Sequence, residues 1–280
     1  MTLTNQLHFY IYITKFQAST VEFPTVSDFR EREMRRVHSH GMIHLDVDQR
    51  DGGSVYVITM DRGENRVNPE FVDALSRCLE KVEKARHPKS LVLTGTGKFL
   101  SNGLDLDFVM GADPKDSTTF LESLWDVLAR LLVCDCFTIC SVNGHAFGAG
   151  LFFAMACDYR IMRSKRGYLN FPEVNLGMRL QKQFGELAKC KLTPHAVRKA
   201  VLEAARLSSE QGKVYGIVDE VVPVENLLSR SVEFAHSKTP SKLKFMNFDS
   251  RNFKAIKIEM YTDAYRALCT KGLHSPSARL

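Results

Sequence analysis

The sequence predicts an α/β fold built on a mainly parallel sheet. Three observations carry this reading: short apolar runs that end at glycine, intervening segments whose apolar residues recur at helical spacing, and the regular alternation of the two. With 280 residues, 44% of them hydrophobic and 25% charged, the chain has the composition of a folded, soluble protein. That length suits one large catalytic domain with terminal additions.

Residues 1–41 differ from the rest of the chain. An apolar, aromatic run from Leu7 to Ile13 gives way to a polar stretch ending in Arg30-Glu-Arg-Glu-Met-Arg-Arg36. The run is too short to span a bilayer, and no basic region precedes it as in a secretory signal. Glu22, Asp28, Glu31 and Glu33 count against a mitochondrial presequence, which is poor in acids. The segment is expected to be a poorly ordered extension.

Regular patterning begins at Ile43. His44–Asp48 and Ser54–Met60 alternate apolar and polar residues around Asp51-Gly52-Gly53, which predicts a β-hairpin. Asn68-Pro69 supplies an N-cap and a first-turn proline, and Phe71, Val72, Leu75, Leu79 and Val82 then follow at helical spacing. Ser90–Thr94 is a short apolar run ending at glycine, as in a buried strand. The alternation continues with a helix around Phe120–Leu132, a strand at Phe137–Val142, a helix at Ala149–Ala156 and a strand at Tyr159–Met162.

Lys and Arg exceed Asp and Glu, for a net charge of +6, but the basic residues are scattered and form no nucleic-acid-binding motif. Nucleic acid is therefore not an expected partner. The seven cysteines are odd in number and irregularly spaced, and read as buried thiols of a reducing compartment. Cys134, Cys136 and Cys140 lack the spacing that closes a tetrahedral zinc site, so no metal is expected.

Ligands of open α/β sheets collect beyond the carboxyl ends of the strands. Two glycine-bearing loops fall there, Gly95-Thr-Gly-Lys-Phe-Leu-Ser-Asn-Gly-Leu-Asp105 and Asn143-Gly-His-Ala-Phe-Gly-Ala-Gly150. The second leads into an apolar helix, whose free N–H groups and dipole favour negative charge in front of it. Its spacing fits neither a dinucleotide fingerprint nor a P-loop. Taken alone, such a loop is equally a tight strand-to-helix turn.

A third block, Asn170-Phe-Pro-Glu-Val-Asn-Leu-Gly177, completes a pattern. With Lys98-Phe-Leu-Ser-Asn-Gly-Leu-Asp-Leu106 and Val142-Asn-Gly-His-Ala-Phe-Gly-Ala-Gly150, continuing to Cys157-Asp158, it resembles the crotonase (enoyl-CoA hydratase/isomerase) superfamily from about Gly53 to Val222. The resemblance implies a crotonase-like spiral of ββα units over residues 42–225. A C-terminal helical region would cover 226–280, and the assembly would be a homotrimer. By position, the backbone N–H groups of Leu104 and Ala149 would form an oxyanion hole. Preorganised donors of that kind stabilise an enolate far more than the neutral carbonyl of a thioester.

Hydratases of the superfamily use two glutamates. Here the first position is Phe152 and the second Glu173, which leaves one carboxylate to take a proton from an enoyl thioester and return it. That pattern resembles a Δ3-Δ2-enoyl-CoA isomerase, most closely the peroxisomal members. Dienoyl-CoA isomerases carry a further acid where this chain has Gln181. Glu173, Leu104 and Ala149 are thus the expected catalytic groups, and Lys98, Asn102, Gly103, Gly148 and Phe152 the expected substrate-binding positions. His145 reads as a loop-packing residue, and Asp105 and Asp158 as structural acids. The substrate would be an acyl-CoA thioester of fatty-acid oxidation. Coenzyme A enters as part of it, with no separate cofactor.

Ala278-Arg279-Leu280 resembles a peroxisomal targeting tripeptide, which implies an import receptor as partner and the peroxisome, rather than the mitochondrion, as location. Two other readings stay open. One is a different acyl-CoA enzyme of the same fold, a hydrolase or hydratase. The other is a non-catalytic module that binds CoA esters or RNA.

Overall fold

The computed structural model describes residues 34–271. The first strand, β1 (Arg35–His40), pairs antiparallel with β2 (Ile43–Arg50), which pairs antiparallel with β3 (Gly53–Met60). The predicted hairpin is therefore present. Residues 35–40, however, form an edge strand where the sequence led us to expect disorder. Its side chains are polar apart from Val37 and exposed or half-exposed, so no apolar alternation marks the strand; its conformation comes from backbone pairing with β2. The rest of the expected extension lies outside the described residues.

Helix α1 (Pro69–Glu83) starts where predicted, with the Asn68 side chain accepting the Phe71 N–H. Then come β4 (Lys89–Gly95), β5 (Phe99–Ser101), α2 (Leu106–Gly111) and α3 (Pro114–Leu132). The next group is β6 (Phe137–Val142), β7 (His145–Phe147), α4 (Ala149–Ala156), β8 (Tyr159–Arg163) and β9 (Leu169–Asn170). Beyond these lie α5 (Lys182–Lys191), α6 (Pro194–Val197) leading into a π-helical turn at Arg198–Leu202, α7 (Ser209–Val214) and β10 (Glu220–Val222). Helices α8 (Val224–Ser237), α9 (Ser250–Met260) and α10 (Thr262–Cys269) close the described chain.

The strands form two sheets. The larger runs β1-β2-β3-β4-β6-β8-β10 and is parallel from β3 onward, as the alternation of elements predicted. The smaller is β5-β7-β9, all parallel. Each of β4, β6 and β8 in the large sheet is thus followed by one short strand of the small sheet. This repeat is the ββα spiral, and it carries three chain segments out of the small sheet side by side. They are Asn102-Gly103-Leu104 after β5, Gly148-Ala149 after β7, and Phe171-Pro172-Glu173 after β9.

Alternate residues of the large sheet face two different cores, the period-2 rule of a strand covered on both sides. Ile58, Leu91, Leu93, Cys140 and Met162 join the main core with Phe71, Leu75, Trp125, Leu128 and Phe153 from the helices. Val55, Val57, Val92, Ile139 and Ile161 meet Leu227, Val232 and Ala235 of α8 on the opposite face. Helix α8 therefore completes the sheet's second cover, although the sequence placed it in a separate C-terminal region. The described residues all belong to one compact unit, and among them no helix is long and apolar enough to cross a membrane.

Candidate active site

The three segments leaving the small sheet border one cavity. Its walls are Asn102, Gly103, Leu104, Leu106, Gly148, Ala149, Pro172, Glu173, Leu176, Met178 and Phe184. Of the expected site residues, Glu173, Leu104, Ala149, Asn102, Gly103 and Gly148 are brought together here. Lys98 and Phe152 are not.

Several side chains pin the first segment. Asn65, fully buried with φ +51°, donates from Nδ2 to the carbonyls of Met60 and Leu100 at 3.0 Å each. Ser101 Oγ donates to the Asn65 carbonyl at 2.7 Å and accepts the Gly103 N–H at 3.2 Å. Asn102 is held by Glu64, whose carbonyl accepts its N–H at 2.9 Å and whose carboxylate accepts its Nδ2 at 3.0 Å. Asn143 ties the second loop to the first: its Oδ1 accepts the Gly95 N–H at 3.1 Å and its Nδ2 donates to the Phe99 carbonyl at 3.2 Å. None of these positioning residues was expected from the sequence. Their only local signal is polarity inside otherwise apolar stretches.

The directions of two N–H groups follow from peptide geometry. The Val67 N–H donates to the Gly103 carbonyl at 2.8 Å. In a trans peptide the N–H points opposite to the C=O, so the Leu104 N–H is turned away from Val67, on a residue that lines the cavity. The Gly148 carbonyl is engaged in the first turn of α4, accepting the Leu151 and Phe152 N–H groups at 2.9 and 3.1 Å. The Ala149 N–H therefore points back out of the helix, one of the donors a helix start leaves without an intrahelical acceptor.

Glycine is required where the two loops touch. At Gly103, φ is +85°, and a Cβ there would stand 2.9 Å from the Phe147 carbonyl oxygen and 3.6 Å from the Ala149 nitrogen. Gly148, the N-cap of α4, has φ +48°. These backbones approach closely enough to bring Leu104, beyond β5, and Ala149, at the start of α4, onto one wall of the cavity, an arrangement able to hold a developing oxyanion.

Glu173 sits in a turn whose shape its own carbonyl holds by accepting the Leu176 and Met178 N–H groups at 3.2 and 2.8 Å. Burial pushes its carboxyl above the ordinary carboxylate range, opposed by a hydrogen bond from its own backbone N–H. Its Oε2 is buried without a hydrogen-bond partner in the protein. It is the one ionisable side chain among the described residues that line the cavity. A desolvated carboxylate facing apolar Leu, Met and Phe side chains is a stronger base than one in water.

Two expectations need correction. Phe152, expected at the substrate, is fully buried. Its ring stacks on Phe184 at 4.4 Å and tilts against Phe171 at 4.7 Å, so Phe184 forms the cavity wall and Phe152 supports it from behind. The helical turn that aims Ala149 N–H outward carries the side chain three residues later into the core. Lys98 is exposed at the turn into β5 and does not line this cavity.

His145 packs among the rings of Phe99, Phe147 and Tyr168, and its Nδ1 accepts the Tyr168 N–H at 3.2 Å; this is the loop-packing role expected. Burial, followed by the charges of Arg166 and Arg206, holds its imidazole below the usual range. Asp158 is structural, accepting the Thr138 N–H at 2.9 Å and the Lys257 ammonium at 2.7 Å. Asp105 occupies the N-cap position of α2 without capping by its side chain, and its Oδ2 instead accepts from Asn68 at 3.4 Å. Five cysteines are buried, whereas Cys190 is half-buried and Cys269 exposed, against the expectation that all are buried. The tripeptide at 278–280 lies outside the described residues.

Comparison with known proteins agrees with this fold. A family model described as enoyl-CoA hydratase/isomerase matches residues 50–266. Enoyl-CoA delta isomerase 3 of Arabidopsis thaliana is 32% identical over 198 residues, 68% of this chain and 83% of its own length. The peroxisomal enoyl-CoA delta isomerase 2 of the same plant is 33% identical over 175 residues, 60% of this chain and 73% of its own. Among solved structures, an enoyl-CoA hydratase from Mycobacterium marinum has a TM-score of 0.69 at 26% identity, covering 81% of this chain and 95% of that one. Human mitochondrial delta3-delta2-enoyl-CoA isomerase shares the fold with a TM-score of 0.67 at 21% identity, covering 80% of this chain and 90% of that one.

Proposed function

Since the chain belongs to the enoyl-CoA hydratase/isomerase family, we propose that it is a Δ3-Δ2-enoyl-CoA isomerase, which converts 3-enoyl-CoA to trans-2-enoyl-CoA. The observation that carries the reading is the single ionisable side chain, Glu173, on the walls of the cavity. Hydration needs a group to hold and activate water as well as one to protonate carbon. Double-bond migration needs only one base that returns the proton it took.

In this mechanism the thioester oxygen lies against the Leu104 and Ala149 N–H groups. The Glu173 carboxylate removes a proton from C2, and the electron pair delocalises onto the thioester oxygen as an enolate. The two donors stabilise this charge, each worth about 3 kcal/mol in the transition state. The enolate then collapses, the double bond forms between C2 and C3, and protonated Glu173 delivers its proton to C4. Every proton taken is returned, so no water, metal or redox cofactor enters the balance.

The apolar lining by Leu106, Leu176, Met178 and Phe184 suits an acyl chain. The names of two of the relatives, peroxisomal isomerases of Arabidopsis thaliana, support a place in peroxisomal fatty-acid oxidation. A homotrimer belongs to the same proposal, and analytical ultracentrifugation decides it.

The test is incubation of the purified protein with 3-hexenoyl-CoA. Formation of the 2-enoyl product, without 3-hydroxyacyl-CoA, is expected. Hydration of 2-enoyl-CoA, or release of free CoA from a saturated acyl-CoA, would assign a different reaction of the fold.

A further inference from the structure

We propose that Cys134 and Cys136 are a redox-active dithiol, separate from the cavity around Glu173, which a hydroperoxide converts reversibly into an intrachain disulfide. The proposal is independent of the reaction assigned to Glu173. It rests on three structural observations: the distance between the sulfurs, the charge beside them, and a path from solvent.

The sulfurs are 3.6 Å apart. A disulfide bond is about 2.05 Å long, so side-chain rotation must close roughly 1.5 Å. Both residues lie in the connection between α3 and β6, outside the helix and the sheet ladder, where the backbone is able to follow.

Lys257 of α9 brings a buried ammonium to this connection. Its Nζ donates to the Cys136 carbonyl at 2.9 Å and to Asp158 Oδ2 at 2.7 Å. A hydrogen bond from Cys136, and then the Lys257 charge, hold the Cys134 thiol below its ordinary range despite its burial. Its partner Cys136 moves the other way, its thiol pushed well above the ordinary range by the hydrogen bond to Cys134 and then by burial. At Cys140 the charge of Arg160 acts in the same direction as that of Lys257 at Cys134 but is outweighed. Burial, followed by the neighbouring Cys157 sulfur, pushes its thiol well above the ordinary range.

A cleft of about 390 Å³ reaches this connection, lined by Glu83, Arg130, Cys134, Asp135, Arg251 and Lys254 among others. Cys134 borders it and Cys136 does not, which makes Cys134 the attacking sulfur and Cys136 the resolving one. The donor atoms of Cys134, Asp135 and Cys136 also lie within 4.8 Å of one another. A metal cation is nonetheless disfavoured, because the Lys89 ammonium stands 3.1 Å from Asp135 Oδ1 and the Lys257 ammonium 2.9 Å from the Cys136 carbonyl.

The chemistry balances with a hydroperoxide as oxidant. The Cys134 thiolate attacks one peroxide oxygen, the O–O bond breaks, and a sulfenic acid forms as hydroxide leaves and is protonated to water. The Cys136 sulfur then displaces hydroxide from the sulfenic sulfur, forming the S–S bond, and its thiol proton leaves with that hydroxide as a second water. Two thiols lose two electrons, and hydrogen peroxide is reduced to two waters. A dithiol reductant reverses the change.

The test treats the reduced full-length protein with hydrogen peroxide, alkylates it under denaturing conditions and examines its peptides by mass spectrometry. The peptide holding Cys134 and Cys136 should be lighter by two hydrogen atoms and free of alkylation, while Cys78, Cys140 and Cys157 are alkylated. Dithiothreitol should restore both thiols. In Cys136→Ser, dimedone should trap a sulfenic acid on Cys134. Full alkylation of both cysteines after peroxide, a first disulfide at Cys140 and Cys157, or a dimedone adduct confined to other cysteines in the variant would each overturn the proposal.

Discussion

Val67 and Leu104 are joined by a single parallel bridge, with the Val67 N–H donating to the Gly103 carbonyl at 2.8 Å and the Asp105 N–H to the Val67 carbonyl at 2.9 Å. The residue flanked by those two bonds has its own N–H free to face the other way, and at Leu104 the other way is the cavity. A structural contact thus aims a chemical group, which is why the proposed donor needs no particular side chain.

Leu104→Ala should therefore leave turnover within about threefold of the parent, because the N–H survives, whereas Gly103→Ala should lower kcat roughly 100-fold. The added methyl meets the Phe147 carbonyl, and its backbone is held at positive φ, a strain of roughly 1–3 kcal/mol that shifts the peptide. Steady-state kinetics on 3-hexenoyl-CoA distinguish the two, and comparable losses in both variants would contradict a backbone donor.

Glu173→Gln should reduce isomerisation at least ~1000-fold, since the amide cannot accept the C2 proton. Binding of a saturated acyl-CoA, followed by calorimetry, should change only a few-fold. Retained turnover in this variant would remove Glu173 from the mechanism.

The pH dependence has a definite sign. Burial raises the Glu173 pKa above the ordinary 4.5 of a glutamate, so between that value and the folded pKa the native protein binds the extra proton. Stability therefore falls as pH rises through that window. Glu173→Gln should melt at a higher temperature than the parent at neutral pH, and the difference should vanish below about pH 4, where the parent carboxyl is protonated in both states. For the same reason the acid limb of kcat/KM should lie above the ordinary carboxylate range. Melting curves and a pH–rate profile check the two halves.

Phe152→Ala should destabilise the fold by about 3–5 kcal/mol, measured by urea denaturation, because it leaves a void beneath Phe184 in a fully buried position. Phe184→Ala should instead raise KM for long acyl chains and cost less stability, since Phe184 borders the cavity. A larger effect of Phe152→Ala on chain-length preference than of Phe184→Ala would return Phe152 to the substrate.

Much of the architecture was legible because it is written in short periods. Phe71, Val72, Leu75, Leu79 and Val82 mark α1, and the alternation in Ser54–Met60 marks β3. The edge strand at 35–40 escaped because polar residues satisfy an exposed strand, and only β2 holds it there. At the site, the three blocks flagged Glu173 and the two glycine loops. The clamps Asn65, Ser101 and Asn143 did not stand out, because a buried asparagine or serine differs from a loop residue only in what surrounds it.

By itself, the sequence determined the main strands and helices from Ile43 to Met162 and their order, and it marked three blocks that resemble one family. The elements follow from residue type and spacing over a few positions, whereas the roles of Glu173 and Phe152 are what the resemblance implies. Only the tertiary structure decided that three loops share one wall, that Val67 turns Leu104 N–H toward the cavity, that Phe152 hides behind Phe184, and that two sulfurs meet beside Lys257. The direction of an N–H, the burial of a ring and the charge beside a thiol are set by partners distant in the chain, and no local pattern encodes them.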